Sequence, residues 1–240
     1  MDSKTNQVIK TRGRPKKVLN PKSSKVMSKS AIIEHAFELA KSEALSEISI
    51  IKIANDFGVV PGLIHYYIGN RDDLLSGVIN LYFKKRTLSI SNLKGSWQEK
   101  IKQICHISLK LMLEYPGVVE YVATQNKYRL FQKVEEGETD YGLEFFNIIC
   151  DTLREGKLKP KVAALGYHLI MQHQTSCALG EIGKLSPAKH NAFISNKLDQ
   201  LDSKRYQGAK FISKEFAKLD TNVIFDTGLE ILLKGLESKN

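Results

Sequence analysis

From residue 28 onward the apolar positions recur at helical spacing. Ile32, Ile33, Ala36, Phe37, Leu39 and Ala40 follow the i, i+3, i+4, i+7 pattern that lays a stripe along one helix face, while Lys29, Glu34, Glu38 and Lys41 fall largely off it. A short second helix over 49–57 turns Ile50, Ile53, Ala54 and Phe57 inward, and Gly58 supplies the positive-φ residue that ends it. A tight turn follows. Pro61 then opens a third short helix, because its preset φ suits the first turn and the N–H it lacks would have no helical partner there. Leu63, Ile64 and Tyr67 carry that helix to Gly69 and Asn70. Asn70 caps a long fourth helix beginning Arg71, Asp72, Asp73, whose early carboxylates suit the helix dipole.

The remainder also reads as helix. Ser96 and Glu99 form a capping box for a helix to about 115, with Ile101, Ile104, Cys105, Leu109, Met112 and Leu113 along one side and Pro116-Gly117 as its break. Further helices are expected at about 118–131, 139–155, 160–184, 187–203, 208–218 and 221–238. No segment sustains period-2 alternation, so the expected fold class is all-α. There is no internal repeat.

Composition adds limits. With 240 residues, 42% hydrophobic and 26% charged, the chain has the balance of a core-forming protein, and general disorder is excluded. The longest nearly apolar stretch, 163–171, is far short of the roughly 20 residues that cross a bilayer. No apolar block follows the basic N-terminus as a secretory signal requires, so a cytoplasmic protein with no membrane partner is expected. Three cysteines, Cys105, Cys150 and Cys177, are widely spaced without a CxxC pair, which suits reduced, packed thiols and indicates neither a disulfide framework nor a thiolate metal site.

The charge is unevenly placed. The net charge is +10, yet residues 1–29 alone hold seven Lys and two Arg against one Asp. Rich in Ser, Lys, Pro and Asn and poor in apolar residues, residues 1–27 are expected to form a disordered basic arm that belongs near something negative. Within it, Arg12-Gly13-Arg14-Pro15 followed by Lys16 and Lys17 resembles the core of an AT-hook, an extended peptide that lies in a narrow A·T minor groove. Proline keeps such a peptide extended and glycine lets its backbone approach closely. A solvated basic tail is the alternative for the same residues.

Two short helices joined by a glycine turn and braced by a preceding helix are the parts of a helix-turn-helix, in which one helix lies on the DNA backbone and the next enters the major groove. Residues 53–75 resemble the DNA-binding signature of the tetracycline repressor (TetR) family of bacterial transcriptional regulators, a resemblance that begins near Ile32. Ile53-Ala54 match the family's buried pair, Gly58-Val59 its turn, and Gly62 its recognition-helix glycine. The resemblance implies a helix-turn-helix DNA-binding domain over 28–75, with Val60, Pro61, Gly62, Leu63 and His65 facing the groove and Tyr66 and Tyr67 against sugar and phosphate. Ser49 and Arg71 would contact phosphates, positioning the helix without reading bases. Four positions depart from the family pattern: Val60 replaces a capping Ser or Thr, His65 a Tyr, Ile68 a Phe, and Arg71 a Lys. Apolar periodicity assigns Ile64 and Ile68 to the core, leaves Leu63 open, and requires one of the adjacent Tyr66 and Tyr67 to face outward.

For residues 76–240 the resemblance implies a helical ligand-binding and dimerisation domain, and Ser96-Trp97-Gln98, Pro116-Gly117-Val118 and 225–237 look like segments of the tetracycline-repressor subclass. The last helix carries Val223, Ile224, Phe225, Leu229, Leu232, Leu233 and Leu236, more apolar surface than one domain would cover. Together with 160–184, where Gly166, Ala178, Gly180 and Gly183 permit close approach, helix 221–238 is the expected homodimer interface. The histidines by which that subclass binds magnesium–tetracycline are not matched at Lys84-Lys85-Arg86 or Tyr121-Val122-Ala123, so that complex, a metal and a resident cofactor are not expected. His106, Tyr121, Phe145, His168 and Gln172 are the candidate pocket groups for an unknown small-molecule effector. His168 and His173, five apart, lack the i, i+4 spacing of a helical metal pair.

The expected function is a sequence-specific DNA-binding regulator, a repressor released from a palindromic double-stranded operator by a small molecule and associated with the nucleoid when bound. An A·T-preferring architectural DNA-binding protein without a defined operator is the second reading. No nucleophile–base, paired-carboxylate or phosphate-loop arrangement stands at a recognisable spacing, so no enzyme is expected.

Overall fold

A computed structural model describes residues 27–125 and 129–239. The chain is all-α in these residues. Its helices are α1 (Lys29–Leu39), α2 (Ile50–Phe57), α3 (Pro61–Ile68), α4 (Arg71–Ser89), α5 (Trp97–Glu114), α6 (Pro116–Thr124), α7 (Tyr141–Glu155), α8 (Pro160–Ile182), α9 (Asn191–Asp199), α10 (Gln207–Phe216) and α11 (Thr221–Ser238). None of them is long and apolar enough to cross a membrane.

The expected Asn70 cap, Ser96–Glu99 capping box and Gly58 stop are present, and Ser28 and Ser49 add caps that the sequence reading did not assign. Ser28 accepts a hydrogen bond from the Ala31 N–H, Ser49 from the Lys52 N–H, and Ser96 from the Glu99 N–H, so each satisfies a donor that its helix cannot. Asn70 and Ser96 stand in reciprocal capping boxes with Asp73 and Glu99. Gly58 ends α2 at φ 68°, the left-handed conformation that a side chain disfavours.

Helices α1 to α3 form a small head over Ile32, Ala36, Ile53, Ala54, Ile64 and Ile68, all buried. The long α4 begins in this head and continues into the body, packing on α1, α5 and α7, so one rigid rod crosses the expected boundary between residues 75 and 76. The body core gathers Ile79, Phe83, Ile101, Ile104, Phe145, Ile149 and Ile170. Helices α8 and α11 pair along their length, with Gly166 against Leu236 and Gly228 against the His173 ring.

Two helix boundaries differ from the sequence reading. Pro116 opens α6 instead of merely breaking α5, and α6 stops at Thr124, short of 131. The chain instead runs as an irregular loop over 129–140, because Arg129 is drawn inward to Asp72 and Tyr121, a tertiary pull that no local breaker announces. The helix expected over 187–203 divides into a single 3-10 turn, Pro187–His190, and α9, which ends at Asp199. Asn191 Nδ2 donates to the Ala217 carbonyl at 2.7 Å, tying the junction of the two to the end of α10.

Candidate nucleic-acid interface

Helix α3 is anchored on one side only. Ile64 and Ile68 are buried in the head, while Val60, Pro61, Gly62, His65 and Tyr66 are exposed and Leu63 and Tyr67 half-buried. Tyr66 is 81% exposed and its ring stands edge-on to Tyr67, 5.4 Å between centroids, so of the adjacent pair one faces out and one lies against the head. A Cβ at Gly62 would meet nothing within 4 Å, so no intrachain contact requires glycine there. Pro61 occupies the first turn, and Val60 provides no side-chain cap, leaving the first N–H groups of α3 without that partner.

His65 Nδ1 lies 2.7 Å from the Gly69 carbonyl and donates to it, which fixes the ring and leaves Nε2 directed away from that bond. Ser49 is held at the start of α2 by its own capping bond. Arg71, expected on phosphate, uses its guanidinium within the head: Nη2 donates to the Ser46 carbonyl at 2.7 Å and Nε to Ile48 at 3.4 Å. It thereby pins the loop before α2 to the start of α4, a structural task that the sequence did not disclose. His35 Nε2 and Asp56 Oδ2, 2.9 Å apart, tie α1 to α2. The arm residues Arg12, Arg14, Lys16 and Lys17 lie outside the described residues.

In the body the expected pocket groups divide. Phe145 and Tyr121 are buried, whereas His106, His168 and Gln172 are exposed. His106 Nε2 pairs with Asp226 Oδ1 at 2.9 Å on the outer side of α5, and its ring meets Phe225 edge-on. These three therefore do not line an interior site: two residues along the helix, about half a turn, separate the outward His106 and Gln172 from the inward Ser108 and Gln174 on α5 and α8. The interior polar groups are others. Arg86 is buried beneath Phe145, Ser108 and Gln174 are buried on α5 and α8, and Gln174 Nε2 donates to the Cys105 carbonyl at 3.3 Å.

Head and body meet in a polar cluster. Lys85 Nζ donates to Glu114 at 3.0 Å and to Tyr115 Oη at 2.6 Å, Tyr115 Oη donates to Glu38 at 3.3 Å, and Lys41 joins Glu38 at 2.8 Å. Tyr115, fully buried, stacks on Phe37 with centroids 4.1 Å apart. A second link joins Arg129, 8% exposed, to Asp72 at 2.6 Å. Beside it, an open cleft of about 550 Å³ separates α1 and α4 from the 133–141 segment, lined among others by Lys29, Glu34, Asp73, Lys84, Glu135 and Tyr141.

Solved structures share this arrangement. Apo ActR from Streptomyces coelicolor superposes with a TM-score of 0.74 at 19% identity, over 90% of this chain and 97% of that one. The Streptomyces coelicolor TetR family protein ActR in complex with actinorhodin gives 0.72 at 20% identity, over 89% and 98%. BioQ of Mycobacterium smegmatis gives 0.59 at 14%, over 89% and 100%. This chain has the TetR fold. No family model and no curated protein matches the sequence.

Within the TetR fold of this chain, sequence reasoning missed Arg86, Arg129, Ser108 and Gln174. Arg86 had a usable signal. Leu75, Ile79, Tyr82, Phe83 and Arg86 continue one helical stripe, and a charged residue on an apolar stripe marks either an ion pair or a site. The run Lys84-Lys85-Arg86 was read only for the histidine that it lacks.

Proposed function

We propose that the chain is a homodimeric, sequence-specific transcriptional regulator of the TetR family, a repressor that leaves its palindromic operator when a small molecule binds the body. The observation that carries this reading is the one-sided anchoring of α3. Its apolar side is locked into the head, and the opposite side presents Val60, Pro61, Gly62, His65 and Tyr66 to solvent at the end of a rigid three-helix unit. Gly62, unneeded for packing, lets the backbone of α3 lie close to a DNA surface.

The pairing surface is the outer side of α8 and α11. Leu165, Val223 and Ile231 are 46%, 48% and 65% exposed there, while Phe225, Leu229, Leu233 and Leu236 are spent within the chain. Two copies meeting on these helices form a four-helix interface that holds two heads for half-sites about one DNA turn apart, or a little more in an open dimer. The fold shared with ActR, which has been solved with actinorhodin, supports an effector site in the body. Such a regulator acts in the cytoplasm on chromosomal DNA, with the basic arm in the adjacent minor groove.

Selection of binding sites from genomic DNA, followed by footprinting, tests the reading. The expected result is a protected inverted repeat bound by a dimer. Recovery of A·T-rich DNA without a repeat would favour an architectural protein that binds through the arm, and a single-chain mass with and without DNA would overturn the dimer.

A further inference from the structure

Arg86 lies in the body core on α4, 6% exposed, with its guanidinium carbon 4.0 Å from the Phe145 ring centroid, 5.4 Å from Tyr82 and 5.6 Å from Phe83. Its Nε has no hydrogen-bond partner, and among the described residues no carboxylate pairs with it. Aromatic faces compensate part of the cost of a buried cation, but they accept none of its five N–H donors. A guanidinium enclosed in this way costs stability unless an anion reaches it.

Other buried polar groups on α4, α5 and α8 are also unsatisfied. Tyr82 Oη, Thr87 Oγ1, Ser108 Oγ and Gln174 Oε1 are buried without a hydrogen-bond partner. Tyr82 and Thr87 share α4 with Arg86, and Ser108 lies one turn from Cys105, whose carbonyl holds the Gln174 amide. The charge of Arg86 reaches both the Cys105 thiol and the Tyr82 phenol. Burial nevertheless keeps both protonated, so the phenol is available as a donor and neither supplies the missing anion. Arg86 Nε and these four atoms are five of the seven buried polar atoms without a partner among the described residues, and all five lie on α4, α5 and α8.

We propose that Arg86 anchors a buried site for a small organic carboxylate with an apolar body, housed between α4, α5, α7 and α8. The carboxylate takes the guanidinium donors, with Tyr82 and Ser108 as further hydroxyl donors. The apolar body takes the place of the Phe145 ring against Phe83 and Ile149, and Gln174 Oε1 accepts from a hydroxyl or N–H that the ligand carries. This rests on the reading of the body as an effector-binding domain and gives that effector its charge. Because Arg86 is on the same rod as the Asn70 cap beneath the head, an anion drawn to it acts on the element that positions α3.

The purified full-length chain is titrated by calorimetry and thermal shift with benzoate, 1-naphthoate and decanoate, with their uncharged amides, and with inorganic phosphate, all at one ionic strength. At least one carboxylate should saturate and raise the Tm, and its amide should bind at least about tenfold more weakly, the scale of a charge-assisted pair. Arg86→Met should lose that preference while its unliganded Tm rises, and Arg86→Lys should retain a preference for the anion. Phosphate binding equal to that of the carboxylates would overturn the organic-ligand assignment. So would a chain that discriminates no carboxylate from its amide, or an Arg86→Met protein that keeps the preference or loses Tm, which would make Arg86 a packing pillar. These readouts do not involve DNA, so they separate from the site-selection experiment, and either can fail alone.

Discussion

The backbone N–H of Gly117 donates to the Ala40 carbonyl at 3.0 Å, docking the first turn of α6 directly on the end of α1. Leu45 N–H returns a bond to the Gly117 carbonyl at 3.4 Å, so the joint between body and head is a backbone-to-backbone contact. A Cβ at position 117 would lie 2.0 Å from the Glu43 carbonyl oxygen and 2.9 Å from that of Ala40. Backbone atoms cannot swing aside as a flexible side chain could.

Gly117→Ala should therefore destabilise the protein by about 1–3 kcal/mol, the usual cost of forcing a methyl into a packed contact. Urea unfolding should show the loss, and operator affinity should change more than it does for a substitution of equal cost inside the body core. An unchanged midpoint would mean that the α1–α6 joint opens freely.

Val60 leaves α3 without a side-chain cap. Val60→Ser should stabilise the head by about 1 kcal/mol by accepting a first-turn N–H. Val60 is 69% exposed, so little packing is lost, and a falling Tm would contradict the assignment of α3's first turn. His65→Ala and Pro61→Ala should shift the preferred operator bases more than nonspecific affinity, measured by repeating the site selection with each variant.

Deletion of residues 1–24 should weaken binding to all sequences and flatten the salt dependence. Each phosphate neutralised by the arm contributes a slope of about −0.9 in log K against log salt. Equal affinity and slope before and after truncation would leave the arm a solvated tail.

Acid should loosen the head–body cluster. Lys85 beside Glu114, and Lys41 beside Glu38, hold both carboxyls below their ordinary 4.5, against the opposing effect of partial burial. Lowered folded values mean that this stability is fully present above 4.5 and is lost as the pH falls through the depressed folded values. Both ion pairs are more than a third exposed, so solvent screens them, and the Lys85–Glu114 pair contributes about 0.2–1 kcal/mol. Glu114→Gln should lower stability at pH 7 and narrow the difference from the parent protein below pH 4.5, as followed by thermal melts across that window.

The head was the more legible half. The Asn70 cap, the Gly58 turn and the apolar phase of Ile64 and Ile68 are local chemistry, and they leave one side of α3 for solvent, the side to which the TetR resemblance assigned Val60, Pro61, Gly62 and His65. The body was less so. Exposed histidines such as His106 and His168 satisfy composition as candidates, yet the side of a helix that turns inward depends on neighbours remote in sequence.

By itself, the sequence determined the helical class, the starts of α2 to α5 and the buried side of α3, because each follows from capping, turn chemistry and a period of 3.6 residues within a short window. Only the tertiary structure decided that α6 stops at Thr124, that Arg71 and Arg129 make ties within the chain, and that Arg86 is buried without a counter-charge among the described residues. Those outcomes turn on whether a side chain finds a partner on another helix, and desolvation makes that partner's presence or absence decisive only once the chain has packed.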